Sequence, residues 1–225
     1  MNSLTLTTEK PRLEKQFYLD IEENQAEVLA DIYKKNSNIV IWKRRLEDML
    51  SQAASDILIK NPNLQISQVV TPQDTYSDLK KLLDSSKTAT ILCKDIAKLV
   101  DMFCYLFDLK RAGLRLTALD IAMCPRFHVD GVPCRLVTTY QGVATEWLPH
   151  EAADRSKLGT GNQGKPDEQS GLFRNATDIQ QLSQGDVALL KGEGWAGNQG
   201  AGLIHRSPKL PSDTHRLLLT IDFID

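Results

Sequence analysis

The stretch 126-RFHVDGVPCRLVTTY-140 decides what the rest of this chain folds around. Its triplet His128-Val129-Asp130 lies in a segment with the character of an extended strand, and residues two apart in a strand project to the same face. An imidazole and a carboxylate on one face can bind a metal ion together. A third ligand is predicted downstream at His205, so the spacing predicts a metal site built from His128, Asp130 and His205.

Upstream of this stretch, the apolar pattern is mainly helical. Residues 1–20 are predicted to form a flexible arm, and residues 21–112 a mainly helical part whose apolar stripes follow i, i+3, i+4 spacing. We predict helices beginning at Ile21 and spanning 45–60, 74–84 and 88–111, with Gly113 just past the last one, and short strands at 39–42 and 64–70. No chemistry is assigned to this part.

Around and beyond the opening stretch, in residues 113–225, the pattern changes to short strands joined by turns. Strands are predicted at 114–123, 135–143, 187–190 and 215–224; residues 145–148 follow the second of these, and a long irregular loop is predicted at 149–175. In the last strand, odd positions are apolar and the alternate set includes Arg216, Thr220 and Asp222, so one face packs and the other can line a site. The chain is predicted to be α+β, with an antiparallel barrel or sandwich and helices packed outside it as one compact unit.

Composition excludes several classes of function. The net charge is −2, with 27 basic and 29 acidic residues, so no nucleic-acid partner is indicated. The chain shows neither a signal peptide nor an apolar run long enough for a membrane span. The four cysteines form no paired framework, which favours a reducing, cytoplasmic setting.

Arg216 adds a second part to the predicted site. It follows His205 by eleven residues and opens the next strand. Two histidines and one carboxylate leave open positions on a metal, a geometry that suits non-haem Fe(II), although zinc accepts similar donors. A guanidinium beside such a metal can bind a carboxylate through two parallel hydrogen bonds. Together they would form a pocket for a keto-acid co-substrate.

The order of these features resembles the Fe(II)/2-oxoglutarate-dependent oxygenases. The order is H-x-D, then a Gly-Asp turn with a short apolar strand (185-GDVALL-190), then a distal histidine and an arginine. The resemblance covers roughly residues 113–225 and implies a double-stranded β-helix of the cupin-like superfamily. The strings CPRFHVD, TYQGVATEWL and HRSP also resemble an uncharacterised bacterial family defined as a domain of unknown function, whose genes occur near zinc-homeostasis genes.

Carried over residue by residue, the oxygenase resemblance implies roles for six positions. His128, Asp130 and His205 would be the catalytic metal ligands for Fe(II), and Arg216 would bind the distal carboxylate of 2-oxoglutarate. Tyr140 and Thr220 are added as further co-substrate contacts. The implied partners are this small-molecule co-substrate and an unidentified substrate that is hydroxylated at a C–H bond.

Several alternatives stay open at the level of sequence. Asp130-Gly131 is a favoured turn pair, so Asp130 could serve only the backbone. Arg216 could pair with Asp222 or Asp120 on a neighbouring strand. Cys124 and Cys134 could join His128 in a thiolate-rich zinc site, which would suit a non-catalytic protein of zinc homeostasis. A third possibility is another cupin-type metalloenzyme that uses no keto acid.

Overall fold

The computed structural model describes residues 25–83 and 86–224. The predicted arm at residues 1–20 and the start of the first predicted helix at Ile21 lie outside this range. Within it, no helix combines the length and the apolar character that crossing a membrane requires.

The N-terminal part is mainly helical, as its apolar stripes predict. The first helical segment, Ala26–Tyr33, is a 3-10 helix. Three α-helices follow: α1 (Asp48–Lys60), α2 (Thr75–Leu83) and α3 (Lys87–Leu106). Each helix turns its apolar stripe toward one shared core, which also contains side chains of the neighbouring sheet. The predicted boundary at residues 112–113 itself stays a prediction.

Helix α3 has a defined cap and ends earlier than predicted. The Ser86 side chain accepts a hydrogen bond from the Ala89 N–H, which satisfies one of the free donors at the helix start. The helix stops at Leu106 rather than at 111, and two residues later Asp108 has a left-handed φ of 52°. Gly113 was predicted to follow the helix but lies inside the next strand, where a Cβ would meet Ile224 Cγ2 at 2.9 Å.

The strands form two antiparallel sheets. In the described part of the chain they are β1 (Ile39–Trp42), β2 (Gln65–Val70), β3 (Ala112–Leu119), β4 (Cys134–Gln141), β5 (Glu146–Leu148), β6 (Gln180–Gln181), β7 (Val187–Lys191), β8 (Ile204–Arg206) and β9 (Arg216–Asp222). The large sheet has the order β1-β7-β4-β9-β3-β2, and the small sheet has the order β6-β5-β8. Beyond β8, an isolated bridge pairs His128 with His205.

This strand order is that of a double-stranded β-helix. The strands β7-β4-β9-β3 form one layer, and β6-β5-β8 with the His128 segment form the other, so the chain crosses repeatedly between the layers. The helices cover the outer face of the large sheet. The predicted α+β class, with a jelly-roll part and helices packed outside it, is confirmed.

The two faces of strand β9 have different roles: one packs in the core and the other lines the candidate site. Leu217, Leu219 and Ile221 belong to the core shared with the helices. The alternate residues Leu218 and Thr220 face the interior between the two sheets, where they line a cavity. The period of two along the strand therefore assigns one face to stability and the other to the site.

The long segment at 149–175 is ordered rather than irregular. It contains short 3-10 helices and one helical turn, α4 (Asp167–Ser170). The buried Asp167 carboxylate accepts a hydrogen bond from Phe127 N at 2.8 Å, and Leu172 packs in the same apolar cluster as Phe127. The segment therefore supports the stretch that carries His128.

Candidate metal centre and anion pocket

The two histidines of the predicted site lie side by side on neighbouring extended segments. His128 and His205 exchange both backbone hydrogen bonds, each with an N–O distance of 3.0 Å. This pairing places the imidazole rings 4.5 Å apart, centroid to centroid. Because Asp130 is two residues beyond His128, its side chain projects to the same side.

The three predicted ligands converge. Asp130 Oδ1 is 3.8 Å from His128 Nε2, and Asp130 Oδ2 is 3.4 Å from His205 Nε2. The candidate ligand atoms of the three residues all lie within 4.8 Å of one another. Two atoms bound to one ion at roughly 2.0–2.2 Å cannot be more than about 4.4 Å apart, and both nitrogen–oxygen distances satisfy that limit. The donor set therefore fits a divalent metal ion.

Both imidazoles are held in the tautomer that metal binding needs. The Nδ1 atom of His128 lies 2.9 Å from the Arg126 carbonyl oxygen, and that of His205 lies 3.2 Å from the Leu203 carbonyl oxygen. A carbonyl only accepts, so each Nδ1 carries the proton and each Nε2 presents its lone pair toward Asp130. Burial lowers the pKa of His205 to about 4, although the charge of Asp130 acts to raise it. His205 is therefore neutral at neutral pH, as a ligand must be.

The Asp130 carboxylate faces side chains, which argues against the turn-only alternative. Its Oδ2 atom is buried and makes no hydrogen bond within the described residues. The same atom lies 2.8 Å from Arg135 Nη1, an ion pair without hydrogen-bond geometry. A buried carboxylate oxygen with unused acceptor capacity beside two imidazole lone pairs is suited to a cation.

Arg216 is a buried cation held by hydroxyl groups. Its guanidinium is 1% exposed and donates to Thr139 Oγ1 at 3.0 Å and to Thr145 Oγ1 at 2.7 Å. Among the described residues it forms no ion pair; Asp222, one of its predicted alternative partners, binds Arg115 and Arg135 instead. Burial lowers the pKa of Arg216 to about 10. An isolated buried charge is costly, which indicates that this side chain is placed to meet an anion.

One cavity extends from the candidate metal ligands His128 and His205 to Thr145, a hydrogen-bond partner of Arg216. It has a volume of about 80 Å³ and reaches from Thr145 to His128 and His205. Its apolar wall contains Val137, Leu190 and Leu218, and its polar lining includes the predicted residue Thr220. The structure thus brings Thr220 into the same space as the histidines, while the Arg216 guanidinium lies behind Thr145.

Tyr140 lies on the wrong side of β4 for a co-substrate contact. Its ring is fully buried in the core shared with the helices, and its hydroxyl donates to Asp95 on α3 at 2.6 Å. The alternation along β4 turns Arg135, Val137 and Thr139 toward the site, so Tyr140 must face away. Tyr140 is therefore removed from the predicted cofactor-binding residues.

The cysteines do not form the thiolate-rich zinc site that the sequence left open. Cys134 is fully buried on the helix side of β4, where burial raises the pKa of its thiol strongly. Cys124 lines the cavity, but the described residues that could hold a metal ion are only His128, Asp130 and His205.

Three residues of the site were not predicted: Arg135, Thr139 and Thr145. The first two share the face of β4 that carries Val137, so alternation along the strand could have identified them. Thr145 follows the glycine turn at Gly142, and only the folded chain brings it to Arg216. Burial acts to lower the pKa of Arg135, but hydrogen bonds to Asp222 and the charge of Asp130 raise it above its ordinary value.

Comparison with known proteins gives one family and several solved structures. The model of a family described as "Protein of unknown function (DUF1826)" matches residues 23–222. Comparison with curated proteins finds no match.

The solved structures that resemble this chain include several oxygenases. AviO1 from Streptomyces viridochromogenes Tue57 is 15% identical, with 89% of this chain and 94% of that chain covered and a TM-score of 0.47. The dioxygenase for auxin oxidation 1 from Arabidopsis thaliana, solved with 2-oxoglutarate, is 9% identical, with 92% and 91% covered and a TM-score of 0.48. A Pseudomonas putida prolyl-4-hydroxylase is 11% identical, with 88% and 96% covered and a TM-score of 0.46. Activity depends on the residues of a site and not on likeness at this level.

Proposed function

This chain belongs to the DUF1826 family of proteins of unknown function, and we propose that it is a non-haem Fe(II)- and 2-oxoglutarate-dependent oxygenase. The observation that carries the proposal is the buried Arg216 guanidinium, which has no carboxylate partner among the described residues. It lies behind Thr145, a residue in the wall of a cavity that His128 and His205 also line. A dicarboxylate keto acid would join these two features.

The metal would be held by His128, Asp130 and His205. Two neutral imidazoles and one carboxylate neutralise half of the charge of a divalent ion and leave positions open for other ligands. Bound Fe(II) would supply oxygen-dependent decarboxylation of the keto acid, coupled to hydroxylation of a substrate C–H bond. Zinc accepts the same donors, so the choice of iron is part of the proposal.

The co-substrate would extend from the metal to the end of the cavity at Thr145, away from His128 and His205. Arg216 would bind the distal carboxylate through its fork of N–H donors, while Thr139 and Thr145 keep the guanidinium in place. The apolar side chains Val137, Leu190 and Leu218 would pack against the methylene groups and exclude water. The Thr220 hydroxyl lines the same cavity and is proposed as a further polar contact.

The rival functions give different roles to Arg216. A zinc-buffering protein or a keto-acid-independent metalloenzyme needs the three metal residues but does not need a buried guanidinium without a carboxylate partner. Because a buried charge of this kind costs stability, its presence favours the function that uses 2-oxoglutarate.

The test is an anaerobic titration of the Fe(II)-loaded protein with 2-oxoglutarate. We expect a weak visible charge-transfer band and, after air is admitted, succinate formation even without substrate. Arg216→Lys should weaken both, because an ammonium cannot make the paired hydrogen bonds. The exposed Arg45→Lys is the matched control and should behave as the unchanged protein.

Metal binding without the band and without succinate would reject the oxygenase proposal. An unchanged titration in Arg216→Lys would reject the assigned co-substrate pocket.

A further inference from the structure

A line of alternating charges runs from the cavity mouth to a proposed metal ligand. Arg115 is half-exposed at the mouth, and its Nη1 donates to Asp222 Oδ2 at 2.9 Å. Asp222 also accepts from Arg135, through Nε at 2.6 Å and Nη2 at 3.0 Å. The remaining nitrogen of Arg135, Nη1, lies 2.8 Å from Asp130 Oδ2.

The guanidinium of Arg135 therefore joins two carboxylates with different tasks. Two of its nitrogens form a paired interaction with Asp222, which fixes the plane of the group. The third nitrogen, Nη1, then lies 2.8 Å from Asp130 Oδ2 and forms an ion pair with it. The side chains of Asp222, Asp130 and Arg135 are only 7%, 13% and 20% exposed, so water screens these contacts little.

Neighbouring strands supply this arrangement through their register. Arg135 on β4 is directly opposite Asp222 on β9, and Asp222 is opposite Gly113 on β3. Arg135 lies on the cavity face of β4, as its place among the cavity-lining residues shows. Arg115, Arg135 and Asp222 are thus all part of the large sheet, whereas Asp130 lies in the segment between β3 and β4.

We propose that Arg135 is a positioning residue that holds the Asp130 carboxylate in place for metal binding, with Asp222 as its anchor. This inference rests on the metal site of the proposed function and adds a residue to it. Side chains that orient metal ligands typically change metal affinity about 10- to 100-fold when they are replaced.

Arg135 affects metal binding in two opposite ways. Its positive charge weakens the binding, and its positioning of Asp130 strengthens it. A cation beside a ligand repels a divalent ion, but Asp222, which also pairs with Arg115, offsets part of the charge of Arg135. What remains is the orienting contact with Asp130, which saves the free energy of ordering the carboxylate when the ion binds. Loss of Arg135 should therefore weaken metal binding.

The experiment measures Co²⁺ affinity and the Co²⁺ visible spectrum of the purified full chain, without oxygen or keto acid. Arg135→Lys keeps the charge but cannot span two carboxylates, so we expect about 10- to 100-fold weaker binding and an altered ligand-field spectrum. Asp222→Asn, which loosens the anchor, should change both in the same direction. Arg115→Gln is the matched control, since it removes the other partner of Asp222 without touching Asp130, and its affinity should stay within about threefold.

Each outcome decides between the two proposals. Wild-type protein that binds no Co²⁺ would overturn both the metal site and the role of Arg135. Wild-type binding with unchanged affinity and spectrum in Arg135→Lys would overturn only the positioning role. If Arg135→Lys does not fold, Asp222→Asn decides: weaker binding supports the role, and unchanged binding rejects it. Equal losses in Arg115→Gln and Arg135→Lys would also reject it, because they would indicate a general effect on the sheet.

Discussion

Arg216 Nη2 lies 2.7 Å from the hydroxyl oxygen of Thr145, and Thr145 lines the cavity that reaches His128 and His205. A buried guanidinium is thus oriented by hydroxyl groups, one of which belongs to the wall of a cavity that His128 and His205 also line. Hydroxyls orient a cation without neutralising it, which leaves its charge available to an anion. This relationship connects the candidate metal centre with a candidate anion pocket.

Metal binding should depend on the histidines and not on the cysteines. We expect His128→Ala and His205→Ala each to abolish stoichiometric metal binding, because each removes one of three ligands. Cys124→Ser should retain the metal, since its thiol is outside the group of converging ligand atoms. Elemental analysis of the purified variants measures this. Metal lost in Cys124→Ser and kept in His205→Ala would restore the thiolate site.

Arg216→Met should abolish 2-oxoglutarate binding and make the ligand-free protein more stable. Removing a buried charge that lacks a carboxylate partner should raise the free energy of unfolding of the ligand-free protein by about 1–2 kcal/mol. The same change should remove any stabilisation by added 2-oxoglutarate. Urea unfolding with and without the keto acid measures both effects. A ligand-free variant less stable than the unchanged protein would mean that the hydroxyl contacts of Arg216 outweigh its desolvation.

Tyr140→Phe should affect stability alone. The lost hydroxyl donates to the Asp95 carboxylate at 2.6 Å in the core, so we expect a cost of about 1–3 kcal/mol in urea unfolding. Metal and 2-oxoglutarate affinities should not change, because Tyr140 faces the helices. Weaker keto-acid binding by a folded Tyr140→Phe protein would return this residue to the site.

Asp186 in the Gly-Asp turn should make stability depend on pH. Burial raises its pKa, against a hydrogen bond from Ser183 N and the nearby charges of Lys43 and Arg44. The folded state therefore holds this proton more tightly than the unfolded state. Its contribution to stability is complete below the unfolded pKa and is lost as pH rises through the folded pKa.

Asp186→Asn keeps an acceptor for Ser183 N without carrying the charge. We expect the variant to be more stable than the unchanged protein at neutral pH and equal to it in acid. Chemical denaturation at a series of pH values tests this. A variant that is less stable at neutral pH would show that the two nearby cations outweigh burial.

Local sequence patterns predicted the strand faces and most helices well. Alternation placed the apolar residues of β9 in the core and Thr220 in the cavity, and the i, i+3, i+4 stripes identified α1 and α3. The same alternation would have excluded Tyr140, since it shares its face of β4 with Leu136 and not with Val137. The predicted end of α3 was wrong. A single residue with left-handed φ, Asp108, follows the helix, and Gly113 lies within the next strand.

The sequence by itself determined which side chains share a face, because a strand repeats every two residues wherever it lies: His128 with Asp130, and Thr220 with Asp222. Only the tertiary structure decided which faces meet. The pairing of His128 with His205, the contact of Arg216 with Thr145 and the contact of Arg135 with Asp130 join segments far apart in the chain. Their distances depend on strand register and on the crossing of two sheets, which are set by packing of the whole core and not by local spacing.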